Sequence, residues 1–415
     1  MSSTTEGLLF PSPEVCRCPH ELLAQARHEL PVARVPGRNE YLVTRYDDVR
    51  EVLSHPERFS STIAEKLPDG TIRAATLEYA RSDAIRPLQQ SDPPQHTIKR
   101  RLAFESFKPG QIQQYEPMIN RVIDDLIDSF AERGEVEFIS GFATPLPARV
   151  IHNILGLPEE DARHAEVWGS FEGQATRYHT PERQAAIAES IRDMGGYVVA
   201  AVTERYEQPR DDVLSKFVAA HVAERGELVL PEIVADATNL FLGGIVTTGH
   251  MLGWTMWMLL HDPDRARMAI ADKAATLRAI EEALRLEPPV SWTSRLALED
   301  TEVAGVPIPA GAIVICHLGS ANRDEGHFDD ADSFEPERGD VKDHLSFGLK
   351  THFCLGAPLA RLEGRLAFPK LFERLRELRL GDNDGEPVDS MAFRGLRKLN
   401  LRFTPAGART TAGKT

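Results

Sequence analysis

The chain has 415 residues, of which 42% are hydrophobic, so it can bury a large core and cannot be disordered throughout. Its 63 acidic residues outnumber its 48 basic ones, and the formal net charge of −15 argues against a general nucleic-acid-binding or membrane-surface protein. The four cysteines are too few and too scattered for a disulfide framework, which favours a reducing cytoplasmic location.

The first part of the chain begins with a hairpin and continues mainly as helices. Pro36 and Gly37 lie between two strand-like runs in residues 31–44, which predicts a pair of strands joined by a turn. Apolar residues that recur with a period near 3.6 predict a long helix further on. The predicted helices are 47–53, 112–133 and 181–206.

Residues 240–260 form an apolar stretch long enough to cross a bilayer. Its glycines, together with Thr247, Thr248 and His250, would be costly in lipid, and no second span accompanies it. We therefore predict that this stretch is a helix in the core of a soluble protein, and that the helix begins at Pro231. No secretory signal is recognisable in the first ten residues.

After residue 300 the pattern changes to short strands and one last helix. The predicted elements are strands at 302–309 and 312–316 and a helix at 355–378. Neither a repeat nor a linker divides the chain. We therefore predict a single, mainly α-helical domain with small β-sheets over 20–404, preceded by a loose segment at 1–19 and followed by a disordered tail at 405–415.

Cys354 lies in a glycine-flanked loop directly before a predicted helix. The helix dipole and the free backbone N–H groups at a helix start favour a thiolate there. Such a thiolate could act as a nucleophile or as a metal ligand. The alternative is a buried, unreactive cysteine.

The loop around Cys354 resembles the haem-binding signature of the cytochrome P450 family. The matching residues are Phe347, Gly348, His352, Cys354, Leu355 and Gly356. Lys350 stands where the family usually has glycine or aspartate, and glycine accepts a positive φ more easily than lysine.

A second motif resembles the ExxR helix of the same family. Glu282 and Arg285 lie three residues apart, so they share a helix face and can pair. The resemblance adds Arg338 as a third member of this group. In the family the triad is structural, because it holds the core on the thiolate side of the haem.

The resemblance also implies four ligands of the haem propionates. Residues 92–101 resemble the start of the family's third main helix, where His96 and Arg100 lie one turn apart. Arg295 and His352 match two further family positions. Two carboxylates need cationic or N–H partners, and these four residues meet that need.

The resemblance extends over nearly the whole chain, and it implies the fold and activity of a soluble bacterial haem-thiolate monooxygenase. The implied cofactor is haem b, with Cys354 as the axial ligand of its iron. Phe347, Gly348, Gly356, Gly243 and Gly244 are implied to line the same cofactor.

The apolar helix carries the family's oxygen-side pattern in an altered form. Gly243 and Gly244 match small residues that leave room near the haem, and Thr247, followed by Thr248, matches the residue that steers protons to oxygen. Val246 replaces the usual acid and cannot relay protons. Protons could then follow another path or come from the substrate, or the reaction could be peroxide-driven or non-oxygenative. The structural alternative for the threonines is a bond to the carbonyl four residues earlier.

Helical spacing predicts substrate contacts near Thr247. Asn239 and Gly243 lie two turns and one turn before Thr247 on the same helix face. The Asn239 side chain could form a hydrogen bond either with the substrate or with another group in the core. Further candidates are Val290, Ser291, Phe171 and Phe393. The expected reaction is the hydroxylation or oxidative dealkylation, with O2, of a small apolar aromatic, terpenoid, fatty acid or natural product.

The resemblance implies that electrons come from an acidic ferredoxin and its ferredoxin reductase. Lys99, Arg101, Lys350 and Arg361 are predicted to form a basic docking patch on the thiolate side, and a solubilising face is the alternative. Neither nucleic acid nor a membrane is expected as a partner. A haem-binding sensor without turnover is the remaining alternative to an enzyme.

Overall fold

The structure is a computed structural model that describes residues 15, 17–66, 72–82, 84, 86–104, 107–164, 181–382, 385–388, 390 and 392–405. Phe171, one of the predicted substrate contacts, lies outside these residues. Much of the two predicted terminal segments also lies outside them.

Helices make up most of the described chain, as predicted. Within the described residues, the α-helices are α1 (His20–Glu29), α2 (Tyr46–Ser54), α3 (Leu77–Ala80), α4 (Gln95–Phe104), α5 (Pro109–Gln114), α6 (Glu116–Phe130), α7 (Pro145–Leu155), α8 (Pro181–Glu207), α9 (Val213–Arg225), α10 (Leu230–His261), α11 (Pro263–Ala269), α12 (Lys273–Leu286), α13 (Leu318–Ala321) and α14 (Ala357–Arg374). The predicted helices at 47–53 and 181–206 are confirmed as α2 and α8.

The strands are short and form small sheets, which confirms the predicted fold class. They are β1 (Val32–Arg34), β2 (Glu40–Val43), β3 (Phe59–Ser60), β4 (Ala64–Lys66), β5 (Ile72–Ala74), β6 (Glu135–Glu137), β7 (Trp292–Ala297), β8 (Thr301–Val303), β9 (Val306–Ile308), β10 (Ile313–His317), β11 (Arg376–Leu380), β12 (Glu386–Pro387), β13 (Leu396–Lys398) and β14 (Asn400–Thr404).

The largest described sheet has five strands in the order β1-β2-β10-β7-β3. β1 and β2 form the predicted hairpin, with Val32 opposite Val43. β2 also pairs in parallel with β10, so strands from distant parts of the chain meet in one sheet. Another sheet has the order β11-β14-β6, and the remaining described strands form the pairs β4-β5, β8-β9 and β12-β13.

Helix α10 runs through the largest hydrophobic core and packs against α7, α8 and α12. Ile245, Leu252 and Met256 on this helix are completely buried. The prediction of a core helix that begins near Pro231 is therefore confirmed. Among the described helices, none combines the length and the apolar character that crossing a membrane requires.

Two predicted helix boundaries are wrong. The stretch 112–133 contains two helices, α5 and α6, which meet at Tyr115, because Pro117 in the first turn of α6 has no N–H to continue the α5 hydrogen-bond pattern. The last predicted helix, 355–378, ends at Arg374. The residues after it form β11, in which Arg376 pairs with Thr404, so pairing with β14 replaces the last helical turn.

Candidate active site

The loop before α14 is a tight turn that positions Cys354. Gly348 has a φ of +70°, and a Cβ there would lie 3.1 Å from the carbonyl oxygen of His352, so both conformation and space require glycine. Lys350 has a φ of +52°, so the loop keeps its left-handed turn at the position where lysine replaces the usual residue. The N–H of Cys354 closes the loop by donating to the carbonyl of Phe347 at 2.7 Å.

The sulfur of Cys354 is surrounded by protein atoms but can still be reached from outside the loop. Burial raises the pKa of the Cys354 thiol, while hydrogen bonds from the N–H groups of Gly356 and Ala357 and the charges of Arg100 and Arg361 lower it. Cys354 is nevertheless exposed by accessible area. Both observations fit a thiol that lies among protein atoms but can be reached from outside, where a cation at the sulfur would stabilise the thiolate.

Four basic side chains from separate segments converge beside this loop. His96 and Arg100 come from α4, Arg295 from β7 and His352 from the loop. The rings of His96 and His352 lie 4.2 Å apart. Burial, followed by the charges of Arg295, His96 and Arg100, lowers the pKa of His352 to about 3. Burial and the charge of Arg100 lower the pKa of His96 to about 4.

The donors in this cluster fit the two carboxylates of a haem. Nδ1 of His96 is buried and has no hydrogen-bond partner among the described residues. Arg295 is only 7% exposed, and its recorded hydrogen bonds go to the Thr293 hydroxyl and the Ser294 carbonyl, so its charge has no anionic hydrogen-bond partner there. Buried cations are costly without anionic partners, and propionates would supply them.

Helix α10 presents Gly243 and Thr247 on an accessible face. The Thr247 hydroxyl donates to the carbonyl of Gly243 at 2.6 Å, which is the helix-internal bond considered above. A Cβ on Gly243 would meet no described atom within 4 Å, whereas one on Gly244 would lie 3.4 Å from Ile151. Thr248 is 3% exposed and therefore lies on the core side of the helix.

Three of the predicted substrate contacts lie together. Val290 and Phe393 form an isolated β-bridge. The N–H of Ser291 donates to the carbonyl of Ala392 at 2.8 Å, and its buried hydroxyl has no partner in the described part of the chain. Asn239 is half-buried on α10, the helix that also carries Gly243.

Comparison with protein families gives the decisive match. A family model described as Cytochrome P450 matches residues 176–398, which is more than half of the chain. The chain belongs to the cytochrome P450 family. The family implies a haem cofactor, O2, an organic substrate and a redox partner.

Individual relatives of this cytochrome P450 match over almost their whole length. The chain is 32% identical to 6-deoxyerythronolide B hydroxylase of Saccharopolyspora erythraea, over 92% of this chain and 95% of that protein. It is 33% identical to Cytochrome P450 monooxygenase PikC of Streptomyces venezuelae, over 94% and 93%. The crystal structure of CYP109E1 from Bacillus megaterium with testosterone superposes with a TM-score of 0.83 at 28% identity, over 94% and 99%. The chain is accordingly a cytochrome P450 monooxygenase.

The ExxR triad of this cytochrome P450 is formed as predicted. Arg285 donates from Nε and Nη2 to the two carboxylate oxygens of Glu282, each at 2.8 Å. Arg338 donates to the same carboxylate at 2.9 Å. Glu282 and Arg285 are completely buried, so the network joins α12 to the irregular segment behind the haem loop.

The predicted basic docking patch needs a correction. Lys99 is 4% exposed and forms ion pairs with two carboxylates of α10, so it belongs to the interior. Arg101 and Arg361 are each paired with a glutamate. Lys350 is exposed. The sequence pattern placed Lys99 on the surface because the two carboxylates that neutralise it lie more than 130 residues away.

Two polar residues of the basic cluster were not identified from the sequence. The hydroxyl of Ser61 lies 2.9 Å from Nε2 of His352. Asp92 accepts the N–H of Ser61 at 2.8 Å, and its charge acts on both His96 and Arg295. Ser61 and His352 are 291 residues apart, so no spacing rule relates them. The one signal in the sequence was the position of Asp92, just before α4.

Proposed function

We propose that this cytochrome P450 binds haem b through Cys354 and uses O2 to insert one oxygen atom into a small apolar substrate, by hydroxylation or oxidative dealkylation. The observation that carries the proposal is the Cys354 thiol beside two arginines, Arg100 and Arg295, and two histidines, His96 and His352, that can donate from their ring nitrogens. Arg295 is buried without an anionic hydrogen-bond partner among the described residues, and Nδ1 of His96 is buried without a partner there. When bound, the haem supplies O2 activation, and electron donation from the thiolate favours O–O cleavage.

The chain's own residues supply binding, orientation and protons. The N–H groups of Gly356 and Ala357 hold the Cys354 sulfur, and the basic cluster supplies cations and N–H donors for the two propionates. The Thr247 hydroxyl holds its proton on the accessible face of α10 and can redirect it from the Gly243 carbonyl towards that face. This motion would place a hydrogen-bond donor on the substrate side, and the protons consumed with O2 would reach it from solvent water or from a polar group of the substrate, since Val246 supplies none.

The thiolate assignment is tested by Cys354→Ser. We expect this variant to lose the thiolate-type carbon monoxide spectrum of the reduced protein, because a serine oxygen is a much weaker electron donor than a thiolate. Cys18→Ser is the matched control, since Cys18 is also exposed but lies near the N-terminus. A Cys354→Ala protein that retains this spectrum and normal hydroxylation would contradict the proposal.

For the substrate, we propose an apolar natural-product scaffold. The relatives support this class, because one is named as a hydroxylase of 6-deoxyerythronolide B and one structure holds testosterone. The accessible face at Gly243 and the pair Val290 and Phe393, which the β-bridge holds side by side, would supply small and apolar walls. Optical titration of the ferric protein with steroids, monoterpenes, fatty acids and methoxy-aromatics tests this: a low-to-high-spin shift confined to fatty acids would contradict it.

The second candidate function is a peroxide-using or non-oxygenative reaction, and Val246 in place of the usual acid favours it. The two functions are separated by Thr247→Val. If O2 is the oxidant, we expect reductase-supported product formation to fall roughly 10- to 100-fold, because a proton donor is lost. Peroxide-supported turnover should change little, and Thr247→Ser, which keeps the hydroxyl, should resemble the wild type. Wild-type product formation with peroxide at the reductase-supported rate would favour the second candidate.

We propose that electrons come from a ferredoxin and its ferredoxin reductase, and that Lys350 contributes to the docking face. Lys350 is exposed and lies four residues before Cys354. Lys350→Glu should slow ferredoxin-supported reduction several-fold at low salt, because it replaces an attraction by a repulsion. Lys216→Glu, which changes an exposed lysine on α9, is the control. Equal rates for both variants would contradict docking at Lys350.

We also propose a cytoplasmic location and one catalytic domain over 20–404, with residues 1–19 and 405–415 outside it. The small number of cysteines supports the location. Within the described part of the first segment, Val15 packs beside Leu23, and the carbonyl of Arg17 accepts a hydrogen bond from Arg394. Limited proteolysis with mass spectrometry would locate both boundaries.

A further inference from the structure

We propose that Asp236 is a positioning residue that closes one end of the substrate cavity. Its carboxylate ties the 3₁₀ turn Leu88–Gln90 and the haem-holding helix α4 to the oxygen-side helix α10. This inference rests on the proposed function, because it takes the accessible face of α10 as the wall of the substrate cavity.

The two oxygens of Asp236 bind two different segments. Oδ1 accepts the backbone N–H of Leu88 at 2.7 Å, and Oδ2 accepts from Nζ of Lys99 at 2.8 Å. Asp236 is 3% exposed and Lys99 is 4% exposed, so water does not compete for either bond. A single buried carboxylate therefore joins the turn, α4 and α10.

The charges around Asp236 balance. Nζ of Lys99 also lies 3.0 Å from Glu232, and Arg225 donates to Glu232 at 2.9 and 2.7 Å. Two cations thus face two carboxylates, while Nε2 of His221 lies 3.5 Å from Asp236. Because removal of Lys99 would leave the buried Asp236 carboxylate without a lysine or arginine partner, the network favours one arrangement of its three helices.

The position of Asp236 on α10 connects it with the reaction. Gly243 and Thr247 follow Asp236 by seven and eleven residues, so both lie within about 20° of it around the helix and the three share one face. Thr247 lies about 16 Å along the axis from Asp236. The turn that Asp236 holds therefore covers the same face of α10 that carries the predicted proton donor.

Helix α4 and the turn are coupled through the same carboxylate. Lys99 lies between His96 and Arg100 on α4, so its bond to Asp236 fixes the helix that carries two propionate donors. The other end of the turn is held separately, because the Thr62 hydroxyl donates to the carbonyl of Gln90 at 2.8 Å. Loss of the Leu88 bond would therefore free one end of the turn and leave its other end attached.

Two double variants with equal charge test the inference. Lys99→Met with Asp236→Leu removes the acceptor of the Leu88 N–H, and Lys99→Met with Asp236→Asn keeps a side-chain oxygen there. Both remove one cation and one carboxylate, so neither leaves a buried charge unpaired. The measurements, on the haem-loaded protein, are the association rates of imidazole and of 4-phenylimidazole and the amide hydrogen exchange of residues 86–91.

We expect the variant with Asp236→Leu to bind 4-phenylimidazole faster relative to imidazole, with the ratio of the two association rates raised about 5-fold, because one hydrogen bond that holds the turn is lost. The amide of Leu88 should also exchange faster in this variant. The variant with Asp236→Asn lacks the Lys99 bond as well but keeps an acceptor for the Leu88 N–H, so in both measurements it should lie much closer to the wild type than the variant with Asp236→Leu does. Equal ratios and equal exchange in the two variants would overturn the inference. A wild-type protein that binds no haem, or that shows no spectral change with imidazole, would instead contradict the proposed function. Even then, an unchanged exchange rate at Leu88 in the variant with Asp236→Leu would overturn the role of Asp236.

Discussion

At Lys350 the backbone adopts a conformation that its side chain disfavours. The φ of +52° lies in the left-handed region, where a residue with a Cβ is about 1 kcal/mol or more less stable than glycine. The residue lies in the turn between Gly348 and Cys354, and the loop closes through the bond from Cys354 to Phe347. The haem loop therefore keeps its shape at a cost in stability.

This cost predicts the effect of Lys350→Gly. We expect the variant to be more stable by up to about 1 kcal/mol, because relief at positive φ exceeds the added freedom of the unfolded chain. Lys342→Gly is the control: Lys342 is exposed in the 3₁₀ helix Val341–Asp343, where glycine should destabilise. Urea unfolding measures both variants. A Lys350→Gly protein as destabilised as Lys342→Gly would show that the backbone is not strained there.

Two neighbouring ion pairs join helix α12 to the irregular segment that holds Glu337 and Arg338, and the two pairs differ in burial. The carboxylate of Glu282 binds Arg285 and Arg338 in the interior. One turn before Glu282, Arg278 pairs with Glu337, and the two side chains are 35% and 59% exposed. Because water screens only the second pair, the two should contribute very differently to stability.

Arg338→Gln should destabilise the protein by about 3–5 kcal/mol, because it leaves the buried Glu282 carboxylate one cationic partner short. Arg278→Gln should cost less than about 1 kcal/mol. Urea unfolding and the fraction of protein purified with haem measure both effects. Similar losses for the two variants would mean that burial does not decide the strength of this connection.

For the whole molecule, the buried Glu281 makes stability depend on pH. Burial acts to raise the pKa of Glu281, but hydrogen bonds and charge from Arg361 and His344 outweigh it and lower the pKa to about 2. A carboxyl group whose pKa is lower in the folded protein than its ordinary 4.5 stabilises the fold above that ordinary pKa. The stabilisation is lost as the pH falls from about 4.5 to about 2.

We therefore expect Glu281→Gln to flatten the acid side of the stability profile. Across this window the wild type should lose on the order of 3 kcal/mol that the variant does not lose. At neutral pH the variant should be less stable, since Arg361 and His344 lose their shared carboxylate. Urea unfolding at a series of pH values from 7 down to about 2 measures this. Parallel profiles for the two proteins would contradict it.

Two features of the fold and site were predictable from local patterns in the sequence: the α10 core helix and the loop that ends at Cys354. They depend on near neighbours, because a periodic apolar stripe and a glycine-flanked turn before a helix are local features. The cytochrome P450 family and the four basic residues beside Cys354 came instead from the resemblance of several motifs to that family. The end of the last helix was misplaced and the break at Tyr115 was missed, since strand pairing and a proline at a helix start outweigh apolar periodicity.

Apart from the triad of Glu282, Arg285 and Arg338, the partners of the buried charged groups became known only from the tertiary structure. Lys99, predicted to lie in a surface patch, is buried in the network with Asp236. Ser61 and Asp92 lie beside the histidines of the basic cluster. The physical reason is that a charge is exposed, paired or buried according to partners far away in the chain, and burial multiplies the strength of each such interaction. Sequence periodicity carries no information on those distances.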